Sequence, residues 1–316
     1  MIRIENLTKF YGDFRAVDNV SFTINDGEIL GFLGPNGAGK TTTLKILTCF
    51  MPPSEGSITF NDLNVRDHSM EIRKMIGYLP ENAPLYEYMS IREYLDYICD
   101  LRDIHGQRRK DRMDAMIELC GLSRMMGKDI GELSKGYRQR VGIAQAMIHE
   151  PQVLILDEPT VGLDPNQIVE IRNLIRSVGK EKTVILSTHI LSEVEATCDR
   201  VVIISSGEIV ADGTPETLQD KLAGQSTLFL EVKGDAAAMA DAYSTITGVE
   251  KIHSVAESGD TCARLEISVR HGFDLREEIF RRTVEKGWAI LEMRQHKTNL
   301  EEVFRQLTQS QGAVQP

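Results

Sequence analysis

The stretch GPNGAGKTT, Gly34 to Thr42, constrains the fold of this 316-residue chain more than any other. It follows the apolar run EILGFL (28–33) and leads into TTTLKILTCF, whose pattern is helical. A strand, a glycine-rich turn and a helix start, with the spacing G-x-x-x-x-G-K-[ST], form a phosphate-binding loop. Gly34, Gly37 and Gly39 let backbone N–H groups close around phosphate oxygens, with Pro35, Asn36 and Ala38 completing the turn. The helix start adds unpaired amides and its dipole. Lys40 can reach β- and γ-phosphates, the Thr41 hydroxyl can hold Mg²⁺, and Thr42 ends the phosphate-binding set.

The flanking chain suits that loop. QVLILD (152–157), TVILST (183–188) and RVVII (200–204) read as strands. Nearly continuous apolar runs of this length predict strands covered on both faces, hence α/β architecture with a parallel sheet. VVIISSGEIVAD predicts a late hairpin turning at Ser206-Gly207. In VLILDEPT the strand delivers Asp157 to its exposed end, where a carboxylate can coordinate Mg²⁺. Glu158 follows and can polarise an attacking water. A third strand ends in His189, at the same sheet edge, and predicts a γ-phosphate contact; the other six histidines read as structural.

Between Tyr86 and Glu150 the strand signal vanishes. Ser90 and Glu93 are spaced as a capping box, and Ile91, Tyr94, Leu95, Ile98 and Leu101 make a helical stripe. A helical subdomain over about 86–150 is therefore inserted in the α/β core. Within it, ELSKGYRQR opens a helix that runs to Pro151, with Ser134 as N-cap and Gly136 in the first turn. Such a start suits an anion, yet it lies apart from the phosphate loop. A second copy of the chain, turned head to tail, would place it over the first copy's γ-phosphate.

DGTPETLQDKLAG (212–224) carries a Thr214 cap, Pro215 at the first helical position and a closing Gly224, and ends the first domain. The domains expected are 1–222, then 226–308, then a frayed tail at 309–316. The second reads strand, helix, strand, strand, helix, strand over 227–294, a ferredoxin-like βαββαβ order, followed by a helix at 299–308. Trp288 reads as its core. No apolar run approaches the ~18 residues of a membrane span, so the chain is expected to stay cytoplasmic. A net charge of −11 argues against nucleic acid as a partner. The five scattered cysteines have neither metal nor redox spacing.

Over residues 1–220 these motifs, in this order, resemble the ATP-binding subunit of ABC transporters. LSKGY resembles that family's signature motif, VGLDP (161–165) its D-loop, and His189 its switch histidine. Tyr11, in KFYG, resembles the aromatic residue that stacks on adenine. Two departures stand out. Lys135 and Tyr137 replace Gly and Gln in the signature, and Glu81, in GYLPE, takes the position of the Q-loop glutamine. A carboxylate at Glu81 can still bind Mg²⁺ but adds negative charge near the phosphates. GYLPE and the tail TNLEEVFRQLT (298–308) resemble the ABC-2 exporter group of drug-export and gliding-motility ATPases.

The resemblance implies a homodimer that sandwiches two ATP with Mg²⁺. It implies a separate integral membrane permease docked around Glu81 to Tyr97, and a station on the inner face of the cell membrane. Two alternatives share these motifs: an importer ATPase whose C-terminal domain binds a regulatory ligand, and a soluble ABC-type ATPase that serves no transporter.

Overall fold

A computed structural model describes residues 1–222, 225–254, 262–270, 273–296 and 304. The chain divides into two compact units that meet in sequence at Pro215 and Glu216.

The first unit opens with an antiparallel sheet. Strands β1 (Ile2–Tyr11) and β2 (Phe14–Ile24) form a hairpin, with β4 (Glu55–Phe60) and β5 (Leu63–Asn64) on the other side of β1. The main sheet has the order β10-β9-β3-β8-β7-β6. Its strands are β3 (Ile29–Leu33), β6 (Ile76–Leu79), β7 (Val153–Asp157), β8 (Thr183–Thr188), β9 (Arg200–Ser205) and β10 (Glu208–Gly213). Only β10 pairs antiparallel, through the hairpin at Ser206-Gly207, where both residues have positive φ (50° and 85°). Every residue of β3, β7 and β8 is buried, as their apolar runs predict.

Because β3 is flanked by β8 and β9 rather than by its sequence neighbours, the sheet's chain order reverses beside it. In sheets of this kind the crevice at the carboxyl ends of the strands takes ligands. The register brings those ends together, with Leu33 opposite Thr188 and Asp157 opposite Ser187. Helices α1 (Lys40–Leu47), α6 (Pro165–Gly179) and α7 (Leu191–Thr197) follow β3, β7 and β8. A short α2 (Ser69–Met75) precedes β6.

Helices α3 (Ile91–Leu101), α4 (Gly106–Leu119) and α5 (Lys135–Met147) occupy the stretch between β6 and β7. Ser90 and Glu93 complete the capping box at α3, worth about 1 kcal/mol at such a start. The basic run at 107–112 lies on α4, where Arg109 pairs with Asp96 and Asp100 and Arg112 donates to the Ile148 and Met147 carbonyls. Helix α8 (Pro215–Leu222) ends the first described stretch.

The second unit runs β11 (Gln225–Lys233), α9 (Ala236–Ser244), β12 (Val249–Ser254), β13 (Cys262–Arg270), α10 (Arg276–Glu285) and β14 (Ala289–His296). Its sheet is antiparallel throughout, in the order β12-β13-β11-β14. Met239 and Tyr243 of α9 and Ile279 of α10 share a core with Leu228, Leu230, Leu265 and Ile267, and Trp288 packs against that core. The Tyr243 hydroxyl reaches Thr283 Oγ1 at 2.7 Å inside it. The expected closing Gly224, the helix at 299–308 apart from Phe304, and the tail at 309–316 lie outside the described residues. All five cysteines are free, four of them buried.

Candidate functional site

The loop from Gly34 to Gly39 joins β3 to α1 across the carboxyl edge of the main sheet. Gly39 has φ +107°, and a Cβ there would stand 2.6 Å from the Ala16 carbonyl, so no other residue fits. Gly37 has φ +79° and open space around it. The Gly34 and Ala38 amides are used within the protein, donating to the Thr188 and Pro35 carbonyls at 3.3 and 3.2 Å.

Lys40 folds back from the first turn of α1. Its Nζ donates to the Gly34 carbonyl at 2.7 Å and the Pro35 carbonyl at 3.2 Å, and lies 3.3 Å from Glu158 Oε1. Glu158 adopts φ +49°, rare for a residue with a Cβ, with its amide tied to the Ser187 carbonyl at 3.0 Å. That turn sets the carboxylate between Lys40 and His189, whose Nδ1 is 2.9 and 3.0 Å from its two oxygens. A carboxylate only accepts, so Nδ1 carries the proton. The Nε2 atom has no hydrogen bond among the described residues.

Asp157, one residue earlier, is 1% exposed, and neither of its carboxylate oxygens has a hydrogen bond of ordinary geometry. Burial pushes its carboxyl above the usual range; the nearby Ser187 and Thr41 hydroxyls oppose the shift, and the charges of Glu158 and Glu81 add to it. A buried carboxylate left this bare is costly unless a cation meets it.

A cleft of about 760 Å³ collects most of the residues singled out from sequence: Tyr11, Asn36, Gly37, Gly39, Lys40, Thr41, Thr42, Glu81, Glu158 and His189. Gly34, Pro35, Ala38 and Asp157 adjoin it in the same loop and strand end. Val161, the first residue of VGLDP, also lines it, as do Phe14 and Ala16, which belong to none of the sequence motifs. Phe14 pairs with Tyr11 across the β1–β2 turn, and both rings are largely exposed. An aromatic beyond a glycine turn from Tyr11 was the available signal.

Ser134 and Gly136 are not among the walls of this cleft. Ser134 caps α5, its Oγ accepting from the Tyr137 amide at 3.4 Å. Gly136 lies under the Gln167 side chain, and Lys135 Nζ lies over Gly162. Tyr137 stacks with the Arg140 guanidinium, 5.6 Å from its ring centre.

Fold and cleft together define a phosphate-loop nucleotide-binding protein with an inserted helical subdomain. A family model described as "ABC transporter" matches residues 17–161. A shorter match, 129–195, is to a model described as "AAA domain, putative AbiEii toxin, Type IV TA system". The linearmycin resistance ATP-binding protein LnrL of Bacillus subtilis (strain 168) is 32% identical over 312 residues, 98% of each chain. The bacitracin transport ATP-binding protein BcrA of Bacillus licheniformis is 41% identical over 67% of this chain and 69% of its own. Among solved structures, a dimeric post-hydrolysis ATP-binding cassette with ADP and Pi superposes with TM-score 0.62 at 27% identity, over 68% of this chain and 98% of that one. The chain belongs to the family of ABC transporter ATP-binding proteins. It is an ABC transporter ATPase and binds ATP, and cassettes of this family dimerise and act with permease subunits. No helix among the described residues is long and apolar enough to cross a membrane.

Proposed function

We propose that this chain is the ATP-hydrolysing subunit of an ABC-2 type exporter, dimerising around two ATP and driving a separate membrane permease from the inner face of the cell membrane. The observation that carries the reading is Glu158, held between Lys40 and His189 beside the bare Asp157 carboxylate. The relatives named for bacitracin transport and linearmycin resistance favour export. The exposed Tyr86 and Tyr88, on the segment before α3, suit a permease contact.

In this reading residues 34–42 cradle the phosphates, and Tyr11 stacks on the base. Triphosphate binding exchanges the contacts of Lys40 with Gly34, Pro35 and Glu158 for phosphate oxygens. Glu158 then orients a water and draws on its proton as the water oxygen bonds to the γ-phosphorus and the bridging P–O bond breaks, giving ADP and phosphate. His189 steers Glu158 through Nδ1 and offers Nε2 toward the γ-phosphate. Thr41 and Asp157, with Glu81 at the rim, are hard oxygen donors that fit Mg²⁺, which when bound neutralises phosphate charge. Ser134 and Gly136 of a second copy close over the γ-phosphate. The 1–222 region is the nucleotide-binding domain. We read the second unit, with its sheet order β12-β13-β11-β14 and a core shared with α9 and α10, as a ferredoxin-like accessory domain.

Glu158→Gln tests the reading. It keeps size and hydrogen bonding but cannot take up the proton. We expect Mg²⁺-ATP binding within about threefold of wild type and turnover reduced at least about a hundredfold. Near-normal hydrolysis would remove Glu158 from the base position.

A further inference from the structure

A third buried carboxylate, beyond Asp157 and Glu158, lies four residues past His189 and has no part in the reaction described above. Glu193, in the first turn of α7, is 2% exposed and forms no ion pair among the described residues. Its Oε2 accepts a hydrogen bond from the Thr188 hydroxyl at 2.9 Å; its Oε1 is buried without a partner. Such a placement is costly for a carboxylate, so the single hydrogen bond it makes calls for a reason.

That hydrogen bond fixes the direction of a hydroxyl. Glu193 can only accept, so Thr188 Oγ1 must donate to it. The lone pairs of Oγ1 are then left for the Ile190 amide, which donates to it at 3.0 Å. The Thr188 carbonyl meanwhile accepts from the amide of Gly34, the first residue of the phosphate loop, at 3.3 Å. The residues on both sides of His189 are thereby tied down, one to the phosphate loop and one through Thr188 to Glu193. Helix α7 itself is held tightly. It packs onto β3 at Gly31, where a Cβ would stand 2.9 Å from Val194 and 3.0 Å from Cys198.

We propose that Glu193 is a positioning residue for ATP hydrolysis. Through Thr188 it sets the backbone that carries His189, and so the His189–Glu158 contact on which the reaction depends. This rests on the assignment of Glu158 and His189 above. It also gives the segment THILSE a use beyond its histidine, because the five-residue step from Thr188 to Glu193 brings strand end and helix turn together.

The test must separate positioning from folding. Removing one partner strands the other in the interior, whereas replacing both by apolar groups of similar shape can be nearly neutral for stability. The double variant T188V/E193L is therefore the informative one. We expect it to fold with an unfolding temperature near wild type. Its kcat should fall about tenfold to a hundredfold while KM for ATP stays within about threefold, as a displaced reacting group predicts. T188S, which restores the hydroxyl, and E193Q, whose amide oxygen can still accept from it, should recover most of the turnover. Near wild-type kcat in a folded T188V/E193L overturns the proposal, as does a loss of turnover that only follows the loss of folded protein. H189A and E158Q run beside it. If they retain turnover, the reading of the site fails and this inference with it; if they lose it and the double variant does not, this inference alone fails.

Discussion

Glu81 adds a carboxylate to a cleft that already holds Glu158 and adjoins Asp157, and its charge helps raise the Asp157 carboxyl. Bound phosphates meet the same field, so magnesium has more charge to neutralise before nucleotide is held well. Glu81→Gln should lower the Mg²⁺ concentration for half-maximal ATPase by about fivefold, the scale of one like charge in a partly solvated site. A titration of rate against Mg²⁺ at fixed ATP reads it, and an unchanged midpoint would clear Glu81 of that effect. His149 presents the opposite case, a base held neutral. Its Nε2 contacts the Ile76 carbonyl at 3.0 Å and its Nδ1 is buried without a partner. Burial, then the charges of Arg102, Lys182 and Arg112, push it down from 6.5 to about 4, against the pull of the Ile76 carbonyl. A base depressed in the folded state contributes stability above its unfolded pKa. That contribution fades as pH falls from 6.5 to about 4, by up to about 1.4 kcal/mol per pH unit. We expect urea-unfolding stability to fall less steeply over that window in His149→Gln than in wild type. Parallel slopes would mean that His149 does not titrate this way.

At the scale of the element, the phosphate loop is held by contacts that a sequence motif implies only in part. Gly39→Ala brings a Cβ to 2.6 Å from the Ala16 carbonyl, a backbone atom of β2, at φ +107°. Gly37→Ala meets nothing within 4 Å and bears only the cost of its φ, +79°. Gly39→Ala should therefore lose about 2–3 kcal/mol of stability and most nucleotide affinity, and Gly37→Ala about 1 kcal/mol of stability. Thermal unfolding and fluorescent-nucleotide titration distinguish the two, and equal losses would refute the role of the Ala16 carbonyl. The need for glycine is plain in GPNGAGKTT; what crowds it is not, because Ala16 lies on β2, outside the motif. The first half of β2, which holds Ala16, does not alternate, because two register shifts in its pairing with β1 fall between Val20 and Arg15, and such bulges break the period of two; residues 19–24 alternate cleanly. β3, β7 and β8 were legible because burial on both faces writes an unbroken apolar run. Glu158 and His189 were each legible at a strand end, but their hydrogen bond was not. They are 31 positions apart, and only the parallel pairing of β7 with β8 brings them together.

At the scale of the molecule, the proposed function makes the cleft and the start of α5 two half-sites on one chain. The cleft supplies the phosphate loop, Glu158 and His189, and Ser134 and Gly136 stand outside its walls. Helix α5 begins with Lys135 and has no acid in its first turn, a start that favours an anion placed against it. The chain as a whole carries −11, so two copies repel at a distance, and their association needs local contacts that outweigh this. On the proposed reading, ATP held between Lys40 and the phosphate loop of one copy and the start of α5 of the other would supply such contacts twice in a head-to-tail pair. The Glu158→Gln chain, expected to hold ATP unhydrolysed, should therefore become a dimer on adding Mg²⁺-ATP and revert to a single chain without it, as read by light scattering. Adding Gly136→Glu places a carboxylate where the γ-phosphate of the other copy must sit. The fold should tolerate it, because the atoms nearest a Cβ at Gly136, at 2.7–3.1 Å, are the end of the Gln167 side chain, which can swing aside. Each chain should then bind nucleotide in its own loop within about threefold of the parent affinity while remaining single under Mg²⁺-ATP. A dimer that persists in the Gly136→Glu chain would mean that closure uses another face, and α5 would no longer be the second half of the site.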